Sequence, residues 1–264
     1  MTERFVDRDS TKKFILERKN KDGGYSFART GPSTASETFY SVSSLLMLDV
    51  DPPDKEKTIE WLKARQLGKG YFPSIQTAFY VANTLNLLGK KVEKVDEFLE
   101  WCYKHYKNGL FSEKIGGMPS LKATYMLTGC ICIYADNIYK EEIHKTLSKK
   151  PLPDNLTDIF RMVRIYENIN IKPPHKQEII SFIEKCKTPS GYYSLIPKAT
   201  SFLEHTYHAV YLSKRFRVSF DRKKIREHIL ACKNKDSGFG RAPNSASFVQ
   251  YTYYALKTLK LLDR

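Results

Sequence analysis

Six polar or charged side chains each stand three residues ahead of an aromatic, in segments that are otherwise apolar: Ser36, Gln76, Lys122, Thr157, Glu204 and Gln250, ahead of Phe39, Phe79, Tyr125, Phe160, Tyr207 and Tyr253. Residues three apart share a helix face, so each pair reads as a polar group at a helix start with an aromatic one turn in. Unpaired N–H groups and the dipole at helix N-termini suit an anion. Lys122, Glu204 and Gln250 are the candidates for such a site, whereas Ser36 and Thr157 read more plainly as caps. Glu204, His205 and His208 have the spacing of a Glu/His metal cluster on one helix, provided that Gln250 or another segment adds an oxygen. That spacing is common by chance, so they read as a polar pocket or an exposed face, and no metal is assigned. Cys130 and Cys132, two apart on an apolar helix, read as core thiols.

These positions need elements to hold them, and the sequence repeats those elements. Residues 18–25 read RKNKDGGY and residues 232–239 read CKNKDSGF, with weaker copies GKGYF, NGLF and SGYY around Gly70, Gly109 and Gly191. Anchored on Gly24, Gly70, Gly109, Gly191 and Gly238, the period is about 43 residues, which signals a repeat architecture. Each unit reads as a helical hairpin: a helix, a turn with left-handed glycine, a Gly/Pro/Ser loop and a second, more apolar helix. The repeats fall at about 12–50, 55–91, 95–136, 139–171, 176–216 and 222–263, in a single domain over 1–264. The fourth is the outlier, with Pro151 and Pro153 where the glycine should be. No segment alternates with period two, so the class is all-α. A lone hairpin cannot bury its apolar face, so the units must stack, as an open solenoid or a closed ring. The second helices are the more aromatic and the first carry most of the Lys and Glu. That asymmetry favours one helix set facing inward all the way round, a double-layered (α/α)6 toroid with the six polar positions at one mouth.

The composition fits a globular cytoplasmic protein. The 264 residues are 41% hydrophobic and 13% aromatic, with 17 Tyr and 15 Phe. No apolar run approaches the roughly 20 residues needed to cross a bilayer, and MTERFVDRDSTKK has no signal-peptide core. Five cysteines, an odd number, fit free thiols in a reducing compartment. The formal net charge is +15, but Lys and Arg are spread along every repeat. A solvated basic surface is the plainer reading and no nucleic-acid partner is expected, although a positive cavity mouth drawing in an anionic substrate also fits.

The unit resembles the prenyltransferase and squalene-oxidase repeat. KDGGYSFARTGPSTASETFYSVSSLLMLD and KDSGFGRAPNSASFVQYTYYALKTLKLL are its best copies, and the resemblance covers about residues 12–263. It implies the toroid of protein prenyltransferase β subunits and of terpene cyclases. The transferases hold zinc with an Asp and a Cys from a D-G-C-Y segment and a His from a D-x-Y-H segment. The matching positions here are Glu204-His205-Thr206-Tyr207 and Ser247-Phe248-Val249-Gln250, so only the carboxylate survives in kind. A hydroxyl and an amide are poor zinc ligands. Of the family's diphosphate-binding groups, Lys198 stands for an Arg, Lys122 for a third-repeat Arg, and Tyr207 is kept, while Ser201 and Thr157 replace a Lys and a His. The D-x-D-D acid of the cyclases has no counterpart, since Asp49-Val50-Asp51-Pro52 lacks the last carboxylate. The resemblance therefore implies a prenyltransferase-like protein holding an isoprenoid or isoprenoid diphosphate in an aromatic lumen. Lys122, Lys198, Glu204, Tyr207 and Gln250 would be its ligand-binding residues, with no catalytic residue and no cofactor assigned. Zinc-dependent protein-thiol prenylation is not expected. Two other readings stay open: an apolar-ligand binder without turnover, and a non-catalytic scaffold for a protein partner with a filled lumen.

Overall fold

A computed structural model describes residues 7–136 and 139–263. Among them twelve helices form six consecutive hairpins: α1 (Arg8–Leu16) with α2 (Ala35–Met47), α3 (Lys55–Lys63) with α4 (Ile75–Leu87), α5 (Val95–Lys104) with α6 (Leu121–Ile131), α7 (Lys140–Ser148) with α8 (Leu156–Asn168), α9 (Lys176–Lys185) with α10 (Leu203–Phe216), and α11 (Arg222–Ala231) with α12 (Val249–Asp263). Two short antiparallel ribbons lie in the loops, β1 (Tyr25–Ser26) with β2 (Ser33–Thr34) and β3 (Tyr106–Lys107) with β4 (Leu110–Phe111). None of these helices is long and apolar enough to cross a membrane.

The chain divides into two compact units. The first comprises Met1–Pro53, Asp154–Phe160 and Lys176–Arg264. In it α12 packs between α2 and α10, while α1, α9 and α11 each lie on the second helix of their own hairpin. The second comprises Asp54–Pro153 and Arg161–His175; there α4 packs on α6, with α3 behind α4 and α5 behind α6. Second helices thus pack on second helices, as their more apolar sequences require. In the first unit the earliest and latest hairpins are neighbours. Thr11 Oγ1 donates to the Ser237 carbonyl at 3.2 Å, and Phe27 stacks on Phe248 with ring centroids 4.4 Å apart.

Each hairpin is built on the same local chemistry. The turn after the first helix has its left-handed residue at Gly23, Gly70, Gly109, Gly191 and Ser237, with φ of 97°, 85°, 83°, 87° and 64°. Two residues later comes a buried aromatic: Tyr25, Phe72, Phe111, Tyr193 and Phe239. In the first and last hairpins the left-handed position is therefore one residue before Gly24 and Gly238, the glycines that the repeated phrase singles out. Gly238 is needed for another reason: a Cβ there would lie 2.3 Å from the Phe14 ring. The amide of the buried aromatic then donates to a threonine hydroxyl thirteen residues on, in Tyr25–Thr38 (3.0 Å), Phe111–Thr124 (3.0 Å), Tyr193–Thr206 (3.4 Å) and Phe239–Thr252 (3.2 Å). Each of those hydroxyls also donates one turn back, to Thr34, Ser120, Phe202 and Phe248 carbonyls. A polar clasp recurs as well. Asn20 Nδ2 donates to Ser33 Oγ, which donates to Asp22 Oδ1, and Asn234, Ser247 and Asp236 repeat the pattern.

The fourth hairpin has neither the left-handed glycine turn nor the hydroxyl tie, with Ile159 in the threonine position, whereas the second lacks only the tie, with Ala78 there. One expectation needs correction. Cys132 is not a core thiol: α6 ends at Ile131, and Cys132 is its exposed C-cap, whereas Cys130 is fully buried.

These contacts set the expected effect of three substitutions on stability. Ser237→Gly should stabilise the protein by about 1 kcal/mol in denaturant unfolding, because it removes a Cβ from a left-handed backbone, while Gly238→Ala should destabilise it by driving a methyl into Phe14. Thr252→Val should cost about 1–3 kcal/mol, since it strands the buried Phe239 amide; an unchanged midpoint would show the tie to be incidental.

Candidate functional site

Ser36, Gln76, Lys122, Thr157, Glu204 and Gln250 are each the second residue of their helix, in α2, α4, α6, α8, α10 and α12. Four of these helices have a side-chain cap before that position. Thr34, Ser74 and Ser120 accept from the amides of Glu37, Thr77 and Ala123, and Asn155 accepts from Asp158. Ser36 and Thr157 are therefore not the caps. Ser36 instead donates to Glu37 Oε2 at 2.5 Å, and Thr157 Oγ1 lies 3.3 Å from His208 Nδ1.

The aromatics one turn further in meet one another. In the first unit Phe39 touches Tyr253 (centroids 5.6 Å apart), Tyr253 touches Tyr207 (6.5 Å) and Tyr207 touches Phe160 (5.7 Å). Tyr207 also stacks on Tyr254 at 5.4 Å, and Phe160 stacks on His208 at 4.3 Å and meets Tyr211 edge-on. Tyr40, Phe160, Tyr207, His208 and Tyr253 are buried, whereas Phe39, Tyr211 and Tyr254 keep part of their surface. In the second unit Phe79 and Tyr125 form the corresponding pair at 5.3 Å.

Glu204 begins this aromatic face, with Tyr207, His208 and Tyr211 following at helical spacing. Helix α10 has no side-chain cap, since its N-cap is Phe202. Arg241 replaces one. Its carbonyl accepts the Leu203 N–H at 3.0 Å, its guanidinium lies 3.9 Å over the Phe202 ring, and its Nε and Nη2 both reach Glu204 Oε1, at 2.7 and 2.6 Å. This pairing raises the Arg241 pKa further. Glu204 Oε2 is buried and has no hydrogen-bond partner. His205 Nδ1 is likewise buried and unpartnered, and burial lowers its pKa below the usual imidazole value. Burial, followed by the charge of Glu204, pushes the Tyr251 phenol up.

The other expected ligand residues are placed less centrally. Lys122 Nζ pairs with Glu113 at 3.3 Å in the second unit. Lys198 is exposed on the loop between α9 and α10, with φ of 65°. It occupies the loop position taken by Gly116 in the third hairpin and Asn244 in the sixth, both also left-handed. Gln250 is half-buried. Glu204, Tyr207 and Gln250 thus lie on the adjoining helices α10 and α12, and Lys198 lies on the loop leading into α10.

A zinc site at the family's positions does not fit the groups present. Thr206 Oγ1 is committed to the Tyr193 amide and the Phe202 carbonyl, and Glu204 Oε1 to Arg241. Gln250 offers only an amide. Among the described residues no three His, Cys, Asp or Glu side chains converge in a metal-binding arrangement. Sequence reading passed over the part that Arg241 plays at Glu204. The first hairpin gives no signal of it, because Phe27 stands at the position equivalent to Arg241; Arg29, two residues on, pairs with Glu17 at 2.9 Å.

Comparison with known proteins agrees with this architecture. The chain is similar to a protein from Actinoplanes, at 13% identity over 97% of this chain and 98% of that one, with a TM-score of 0.67. At that identity the likeness is one of fold. A second similar structure is Candida albicans protein geranylgeranyltransferase-I complexed with GGPP, at 15% identity over 97% of this chain and 77% of that one, with a TM-score of 0.45. No curated protein matches. The prenyltransferase alpha-alpha toroid domain model matches residues 1–73, 73–168 and 155–264. That model spans the chain, and the chain belongs to the prenyltransferase alpha-alpha toroid family.

Proposed function

We propose that the protein binds an apolar, isoprenoid-like ligand against the aromatic face of α2, α10 and α12, and does so without zinc chemistry. The observation that carries this reading is the continuous set of ring contacts from Phe39 through Tyr253, Tyr254 and Tyr207 to Phe160, with Phe39, Tyr211 and Tyr254 keeping accessible edges. Aromatic rings with a few convergent polar groups are the usual lining of a small-molecule site. In this reading Glu204, Tyr207 and Gln250 stand at the head-group end. Lys198 adds cationic charge from its exposed turn. Each CH₂ that such a ligand buries contributes about 0.8 kcal/mol, so the chain, more than the head group, would supply affinity.

A second reading, a non-catalytic scaffold for a protein partner, has its own support. Phe27 and Ile196 in the first unit, and Ile115 and Met118 in the second, are exposed apolar residues in corresponding loops. Such residues suit a docking surface.

Calorimetric titration with geranylgeranyl-chain ligands distinguishes the two. The ligand reading expects binding, and it expects Tyr254→Ala to weaken it at least tenfold, about 1.4 kcal/mol, without loss of helix content. Binding that ignores Tyr254→Ala would remove the aromatic face from the site, and no binding at all would favour the scaffold. Elemental analysis of protein purified without chelator should find no stoichiometric zinc, because Thr206 and Gln250 stand where thiolate and imidazole would be needed. One zinc per chain would overturn that expectation.

A further inference from the structure

We propose that one end of the first unit, formed by the loops within its hairpins, docks on the surface of an anionic lipid bilayer. In a helical hairpin the loop between the two helices lies at one end and the link to the next hairpin at the other. The three intrahairpin loops of this unit are residues 17–34, 186–202 and 232–248, and they lie side by side. Phe27 of the first stacks on Phe248 of the last, and Arg241 of the last covers Phe202 of the middle one. Together these loops hold nine Lys and Arg against three Asp and Glu, whereas the links at the opposite end, residues 48–53 and 217–221, hold one against three. The positive charge of the unit's connections is thus gathered at one end. Lys21, Lys187, Lys198 and Lys235 are all exposed there. The large apolar side chains that the described residues of this unit expose are there too: Phe27 is 53% exposed and Ile196 45%.

This combination fits a bilayer better than a protein surface. Anionic head groups attract each nearby Lys or Arg, and the attraction fades within a Debye length, so charge gathered on one face counts for more than the net charge of the chain. Phe27 and Ile196 stand on loops with the 232–248 loop between them, and lysines surround both. They form no continuous apolar core of the kind a protein interface buries, and lysine is depleted from such cores. A bilayer surface needs no continuous patch. Separate apolar side chains enter the head-group boundary while the lysines stay among the phosphates. The loops also hold the two side chains in place beforehand. Ser26 Oγ donates to the Ala28 carbonyl and Ser194 Oγ to the Ile196 carbonyl, both at 2.6 Å, so docking has little ordering to impose. Such docking requires no ligand on the aromatic face. The second unit exposes Leu67, Ile115 and Met118 on its own intrahairpin loops, but its link 88–94 is basic as well, with Lys90, Lys91 and Lys94 against Glu93. The bias toward one end is a property of the first unit.

Flotation of the full chain with lipid vesicles provides the test. Wild type should bind vesicles of phosphatidylcholine containing phosphatidylserine at least tenfold more tightly than vesicles of phosphatidylcholine alone, and less tightly as salt rises. Lys187→Gln combined with Lys235→Gln should weaken binding to the anionic vesicles at least tenfold, since each basic residue near the surface contributes about fivefold. Phe27→Ser combined with Ile196→Ser should weaken it at least tenfold at unchanged charge and unchanged helix content. Lys90→Gln combined with Lys91→Gln removes the same charge from the second unit's link and should leave binding within about twofold of wild type. Equal losses from the two lysine pairs would overturn the proposal in favour of a diffuse basic surface, and so would binding indifferent to the Phe27 and Ile196 pair. Absence of vesicle binding by wild type would overturn it outright; binding to polyglutamate in that case would pass the face to an acidic protein partner.

Discussion

A threonine hydroxyl at the start of a second helix, holding the amide of a buried aromatic thirteen residues earlier, fixes the geometry on which everything else rests. Thr38, Thr124, Thr206 and Thr252 each satisfy an amide that the loop would otherwise bury unpaired, and each returns its own proton to the helix. Because the aromatic is anchored in the core and the threonine is fixed in the helix, the loop between them has little freedom. The next residue along the second helix, Phe39, Tyr125, Tyr207 or Tyr253, is then presented at the same height in every such hairpin. Three members of the aromatic face in the first unit, Phe39, Tyr207 and Tyr253, are placed by that anchoring, whereas Phe160 follows Ile159 and has no such tie.

The same tie changes how Thr206 is understood. Aligned with a metal-binding cysteine, it looks like a lost ligand. Compared with the other repeats of its own chain, it is the ordinary structural residue at that position, and both of its hydrogen-bonding roles are filled. A thiol would donate and accept far more weakly there. The position cannot easily serve both purposes, so the metal-binding version must satisfy the Tyr193 amide by another route.

Hairpin number and the six equivalent aromatics were legible from the sequence because they depend on local periodicity. The second-residue placement of Glu204 and Gln250 followed from the same alignment. The glycines that anchor the repeated phrase, Gly24 and Gly238, stand one residue after the left-handed position in the first and last hairpins. That position is Gly23 in the first and Ser237 in the last, where Gly238 serves close packing against Phe14 instead. Cys132 escaped because a helix end cannot be placed to one residue from apolarity alone. Arg241 was illegible for a different reason. It acts on Phe202, Leu203 and Glu204 from the next repeat, with 37 residues between it and Glu204, and no periodicity within one hairpin encodes a contact between two.

The contact between Thr11 and Ser237 spans 226 residues of sequence. During synthesis the first hairpin emerges long before the partner that covers it, and α2 must wait for α12 with much of its apolar surface exposed. At about 5–20 residues per second, that wait lasts on the order of ten seconds or more. A nascent chain of this kind is exposed to aggregation and to chaperones in proportion to that delay, however stable the finished protein is.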